Sequence, residues 1–147
     1  MLTAAYRVLV CEDDPAMVRI FQFLLQKQGI GPVFTVSDGA KVIATAKREK
    51  PQLILLDLML PGKDGLTILK ELKASDATSA IPVIVISGIE SKNQVSVAID
   101  AGAADYVTKP FDSMELGARL REFLVSLYST SPAGSGTPPP IVSGGSL

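Results

Sequence analysis

The sequence predicts a single α/β domain, a parallel β-sheet with helices on both faces. From Met1 to Tyr128, short apolar runs rich in β-branched residues alternate with amphipathic stretches of helical period, the order that builds βα units. The central apolar runs are nearly continuous, as a strand covered on both faces requires. The 147 residues leave no room for a second domain of ordinary size. A chain of this length buries roughly 68–70% of its unfolded surface, so neither disulfides nor a structural metal is needed to fold it.

Five strands are expected, at Arg7–Cys11, Pro32–Val36, Leu53–Leu56, Val83–Ile86 and Asp105–Val107, and each gap between them holds a helix with its own start signal. Asp14-Pro15 places a capping side chain before a proline at the first helical position, and Met17, Ile20, Phe21, Leu24 and Leu25 follow as one apolar stripe that stops at Gly29. Ser37 is the expected cap of a second helix running towards Lys50. Asp64 or Gly65 opens a third that reaches about Ala74. Ser91 with Gln94 forms a capping-box signature for the fourth, and Asp112 with Glu115 resembles another. The fifth helix presents Leu116, Leu120, Phe123, Leu124 and Leu127 at core spacing. Beyond Tyr128 the composition changes: residues 129–147 carry no charge and consist mostly of Ser, Pro, Gly and Thr. The expected division is therefore a domain over 1–128 and a disordered tail or linker over 129–147. A native end, a link to a missing output domain and an artificial extension all stay open.

Composition removes whole classes of chemistry. The chain has no histidine and one cysteine, Cys11, which excludes zinc sites, haem ligation, Ser-His-Asp triads and Cys-His nucleophiles. A net charge of −1 argues against direct binding to nucleic acid or anionic lipid, which needs clustered Lys and Arg. No apolar run reaches the ~18–20 residues of a membrane span, and the start does not read as a secretory signal. A cytoplasmic location is expected.

Open parallel sheets bind ligands at the carboxyl ends of their strands, near the point where strand order reverses. The first strand runs into Glu12-Asp13-Asp14, the third into Asp57, the fourth into Ser87, and Thr108-Lys109-Pro110 follows the fifth. Carboxylates gathered on one edge repel unless a cation neutralises them or some stay protonated. Two or three carboxylates with backbone carbonyl and water suit Mg²⁺, and Mn²⁺ also fits. Lys109 adds a cation for an anion such as a phosphoryl group, with the Ser87 hydroxyl as a further donor. Asp57 comes straight off four apolar residues, and a carboxylate supported by metal and lysine is a competent nucleophile. On these grounds alone a capping or turn role for Asp57 remains an alternative.

Four segments together carry a resemblance: Val8 to Pro15, Leu55 to Gly65, Ile86-Ser87-Gly88 and Gly102 to Phe111. From Arg7 to Tyr128 the chain resembles the receiver domain of two-component response regulators, of the single-domain, chemotaxis-regulator-like kind. The resemblance implies a flavodoxin-like (βα)₅ fold with strand order 2-1-3-4-5. It implies that Asp57 accepts a phosphoryl group from a histidine kinase or a histidine phosphotransfer protein. Glu12, Asp13, Asp57 and the Met59 carbonyl would hold Mg²⁺, Lys109 would pair with the acyl phosphate, and Ser87 and Tyr106 would form the switch. Output would pass through the surface of the fourth helix, fifth strand and fifth helix, to a protein target or a missing C-terminal output domain, and phosphorylation-dependent dimerisation is compatible with it. The Lys109-Pro110 bond is cis in the family, whereas the general preference of X-Pro bonds predicts trans.

Asp14, which precedes proline, reads as a helix cap rather than a ligand, Asp64 and Gly65 as turn and helix-start residues, and Asp100 and Asp105 as exposed. Such a protein catalyses only its own phosphorylation and slow dephosphorylation and is not a turnover enzyme. One rival is a degenerate receiver acting as a constitutive interaction module. Another is an aspartyl-nucleophile phosphatase, although Met59 stands where its Asp-x-Asp pattern needs a second acid. A flavin carrier is the weakest, because the acidic first loop would repel the cofactor phosphate.

Overall fold

The computed structural model describes residues 5–89 and 91–128. In chain order these form β1 (Val8–Cys11), α1 (Pro15–Lys27), β2 (Val33–Val36), a 3₁₀ turn (Gly39–Lys41), α2 (Val42–Glu49), β3 (Leu53–Leu56), α3 (Gly65–Ala74), β4 (Val83–Ser87), α4 (Lys92–Asp100), β5 (Asp105–Thr108) and α5 (Ser113–Tyr128). All strand pairs are parallel, in the order β2-β1-β3-β4-β5, which is the flavodoxin-like arrangement. The stretch 129–147, expected as a tail or linker, lies outside the described residues. Among those described, no helix is long and apolar enough to cross a membrane.

Strand side chains alternate between faces, so the sheet carries two cores. Val8, Val10, Leu53, Leu55, Ile84, Ile86 and Val107 pack with Phe21, Leu24 and Leu25 of α1 and Leu116, Leu120, Phe123 and Leu124 of α5. Leu9, Cys11, Ile54, Leu56, Val83, Val85 and Tyr106 pack with Val42 and Ala46 of α2, Ile68, Leu69 and Leu72 of α3, and Ala98 of α4. Each fully buried aliphatic side chain contributes about 1.5–3 kcal/mol. Burial pushes the Cys11 thiol pKa far up, which leaves it a core hydrophobe.

The helix starts show which cap signals operate. Asp14 Oδ1 accepts from Ala16 N at 3.0 Å, Asp64 Oδ2 from Thr67 N at 3.0 Å, Ser91 Oγ from Gln94 N at 3.3 Å and Asp112 Oδ1 from Glu115 N at 3.0 Å. The second helix differs from expectation. Its entry is capped by Asp38, which accepts from Ala40 N at 2.9 Å, and Ser37 is exposed. The carboxylate beside Ser37 is the stronger acceptor, and it closes a 3₁₀ turn before α2 begins.

Strand ends shift by one residue for local reasons. β1 starts at Val8 because Arg7 N donates to the Gln52 side chain at 3.0 Å, and β2 starts after Pro32, which has no amide to donate. β4 and β5 run one residue further than expected because Ser87 pairs with Thr108. Ile20 and Leu127 are 37% exposed, not core, since each lies at the margin of its helix stripe. Asp100 is exposed as expected, whereas Asp105, at the first position of an edge strand, is half-buried.

Candidate phosphoacceptor and metal site

Four strand ends converge on one edge. Cys11 and Leu56 are register partners on neighbouring strands, so the residues that follow them, Glu12 and Asp57, emerge side by side. The Asp57 amide donates to the Cys11 carbonyl at 3.1 Å, prolonging the ladder beyond the strands. Glu12, Asp13 and Asp57 each present a carboxylate oxygen within 4.8 Å of the others. Glu12 is 2% exposed and Asp57 6%, while Asp13 is open to solvent. The structure thus brings together the three acids expected at this edge.

Lys109 reaches this group from the opposite side of the sheet centre. Its Nζ donates to Glu12 Oε1 at 2.7 Å and to Asp57 Oδ2 at 2.9 Å, and the Lys109-Pro110 bond that precedes α5 is cis, as the resemblance implied and against the general preference. Burial pulls the Lys109 pKa down, but the two carboxylates outweigh it and the net shift is upward. Burial pushes the Glu12 carboxyl up, and this exceeds the pull of Lys109 and of the Asp14 amide at 3.2 Å from Glu12 Oε2. Three carboxylates against one ammonium leave an excess of negative charge in hard oxygen donors, and that donor set fits Mg²⁺ or Mn²⁺. The Met59 amide donates to Asp57 Oδ1 at 2.9 Å, so each Asp57 oxygen holds one hydrogen bond and retains further lone-pair sites. Asp14 stays with its helix, as a cap.

Ser87 and Tyr106 sit beside the acids on the other face of the sheet. Ser87 is fully buried and Tyr106 is 1% exposed. Both bind the same residue: Ile89 N donates to Ser87 Oγ at 3.3 Å, and the Tyr106 hydroxyl donates to the Ile89 carbonyl at 2.5 Å. Burial pushes the Tyr106 phenol pKa up, which keeps it a donor. Ile89 was missed in the sequence, because a backbone pair that joins two side chains leaves no mark in residue type. At Gly88 an added Cβ would meet nothing within 4 Å, so the edge is open there. A cleft of ≈ 450 Å³ opens from Glu12 and Asp13 between α1 and β2, past Val18, Arg19 and Thr35.

Over residues 8–121 the chain matches the response regulator receiver domain family. The chain belongs to that family. The sensory transduction protein RegX3 of Mycolicibacterium smegmatis is 39% identical over 117 residues, covering 80% of this chain and 50% of that protein. The response regulator PleD of Caulobacter vibrioides is 38% identical over 115 residues, 78% of this chain and 25% of that protein. The receiver domain thus spans a quarter to a half of the length of these curated relatives. Among solved structures, the receiver domain of the sensor histidine kinase PA1611 of Pseudomonas aeruginosa has a magnesium ion coordinated in its active site cleft. It is 28% identical, with a TM-score of 0.72 over 81% of this chain and 96% of that one. Divalent metal binding by the present receiver domain is consistent with that likeness and with its own three acids.

Proposed function

We propose that this receiver domain is a phosphorylation-dependent switch that takes a phosphoryl group on Asp57 from a histidine kinase or a histidine phosphotransfer protein. The observation that carries this reading is Asp57 itself, nearly buried, beside Glu12 and Asp13, with one oxygen on Lys109 and the other on the Met59 amide. An Asp57 oxygen forms a bond to phosphorus as the P–N bond of the phosphohistidine breaks. The imidazole nitrogen keeps the bonding electron pair and takes up a proton. Lys109 holds the carboxylate oriented beforehand, and its ammonium remains beside the charge that develops on the phosphoryl oxygens. Glu12, Asp13, Asp57 and the Met59 carbonyl would hold Mg²⁺, which would neutralise phosphoryl charge.

Hydrolysis by water returns the Asp57 carboxylate, so the domain acts on itself and is not a turnover enzyme. The new dianion offers acceptors to the Ser87 hydroxyl. Because Ser87 and Tyr106 share Ile89, movement of one is felt by the other, and the proposed output surface is α4, β5 and α5. The partners on this reading are the phosphodonor protein and a downstream target or a linked output domain.

The test is intact mass after incubation with acetyl phosphate, with and without Mg²⁺, for wild type and Asp57→Ala. A Mg²⁺-dependent, hydroxylamine-labile gain of one phosphoryl group in wild type alone supports the reading. Labelling of Asp57→Ala at the wild-type rate overturns the assignment of the acceptor. No labelling and no Mg²⁺ binding would favour a degenerate interaction module.

A further inference from the structure

The loop 58–64 after β3 carries Met59, whose amide holds Asp57 Oδ1, and it leans on a neighbour outside the site. That neighbour is the 3₁₀ turn after β2. Gly39 N donates to the Pro61 carbonyl at 2.8 Å. A Cβ at Gly39 would lie 2.9 Å from the Lys63 carbonyl oxygen and 2.9 Å from Ile68 Cδ1, so the turn and the loop meet backbone to backbone. Gly62, on the loop, has a φ of +95°, and a Cβ there would lie 2.1 Å from Asp38 Oδ1, the oxygen that caps the turn through Ala40 N. Two glycines from different elements therefore permit one close approach.

We propose that the Asp38-Gly39 turn is a positioning element for the phosphoacceptor site: it sets where the loop, and with it Met59, stands against Asp57. This inference rests on reading Glu12, Asp13 and Asp57 as the metal-holding set. Its direction follows from packing. A methyl group at position 39 meets both Ile68, fully buried in the core beneath α3, and the Lys63 backbone, on a loop at the surface, so relief needs the Lys63 backbone or the turn itself to shift whatever the Ile68 side chain does. The core side chain has little room to yield and cannot relieve the backbone contact, so turn and loop are pushed apart, and Pro61 lies only two residues from Met59. The hydrogen bond from Gly39 to Pro61 transmits the same displacement.

The experiment measures Mg²⁺ affinity of the full chain by calorimetric titration, with the Met59 amide followed by NMR, in wild type, Gly39→Ala and Gly102→Ala. Gly102, in the turn between α4 and β5, has a φ of +113°, and a Cβ there would lie 2.7 Å from Lys73 Cγ. It serves as the control for strain away from the loop. Gly39→Ala is expected to weaken Mg²⁺ binding about ten-fold, the scale on which groups that orient metal ligands act, and to shift the Met59 amide. Gly102→Ala is expected to melt lower and bind Mg²⁺ as wild type does. A second pair covers a Gly39→Ala chain that does not fold: Asp38→Ala is expected to lose affinity and Asp38→Asn, which keeps the acceptor oxygen, to retain it. Equal affinity in wild type and Gly39→Ala overturns the inference, as does an equal loss in Gly102→Ala or in Asp38→Asn. A wild type that takes no Mg²⁺ overturns the functional reading and this inference with it.

Discussion

The two faces of the sheet are built to different ends. One is covered by the two longest helices, α1 and α5, which contact each other closely enough for Gly117 to sit against the Leu24 carbonyl, where a Cβ would lie at 3.2 Å. Its strand residues alternate straight into the chemistry: Asp57 continues the series Leu53, Leu55, and Lys109 continues Val107. The other face is covered by α2, α3 and α4, of 8, 10 and 9 residues, and holds Ser87 and Tyr106 in the parity of Val83 and Val85. It also carries the turn that braces the loop after β3. The difference separates two requirements. On the proposed reading, the groups of phosphoryl transfer are backed by the longer helix packing, and the hydroxyl and aromatic ring of the switch by the shorter helices.

The comparison is broken most severely by cutting the α1–α5 core. Leu120→Ala is expected to cost about 2–5 kcal/mol in urea unfolding, because Leu120 is fully buried between that helix pair and the sheet. Lys109→Ala comes next. It leaves the fold in place but removes the ammonium shared by Glu12 and Asp57, so metal-free stability falls and added Mg²⁺ restores more of it than in wild type, read as a larger rise in Tm. The response to phosphorylation is blunted in the same variant. On the face of Ser87 and Tyr106, Tyr106→Phe deletes the hydroxyl that donates to the Ile89 carbonyl and is expected to cost about 0.5–1.5 kcal/mol. Its larger consequence is a reduced difference between the NMR spectra of the unphosphorylated and phosphorylated forms. The smallest effect is at Ile20→Ser, within about 0.5 kcal/mol; a loss as large as that of a core leucine would show that the exposed margin of α1 is packed in solution.

Most of the fold was legible because its signals are local. The strands of β1, β3 and β4 announce themselves as unbroken apolar runs, and Asp14, Asp64, Ser91 and Asp112 each cap the helix their position implies. The departures have equally local causes. Ser37 lost to Asp38 because two capping residues stood in sequence and the carboxylate took the turn. Ile20 and Leu127 satisfy helical spacing but lie at the edge of a stripe whose width depends on how closely the neighbouring helix approaches. Asp105 was expected at the surface, yet it opens a strand whose neighbour on one side is β4.

The sequence by itself determined the period of each element, the residue types that arrive at the strand ends, and the absence of histidine and of a cysteine pair. These are properties of single residues and short spacings. Only the tertiary structure decided that Lys109 bridges Glu12 and Asp57 across 97 and 52 residues of chain, that Ser87 and Tyr106 meet on one backbone unit, and that Gly39 and Gly62 close a gap between two loops. Such contacts depend on strand order and crossover geometry, and they bring together positions whose separation along the chain carries no information about their separation in space.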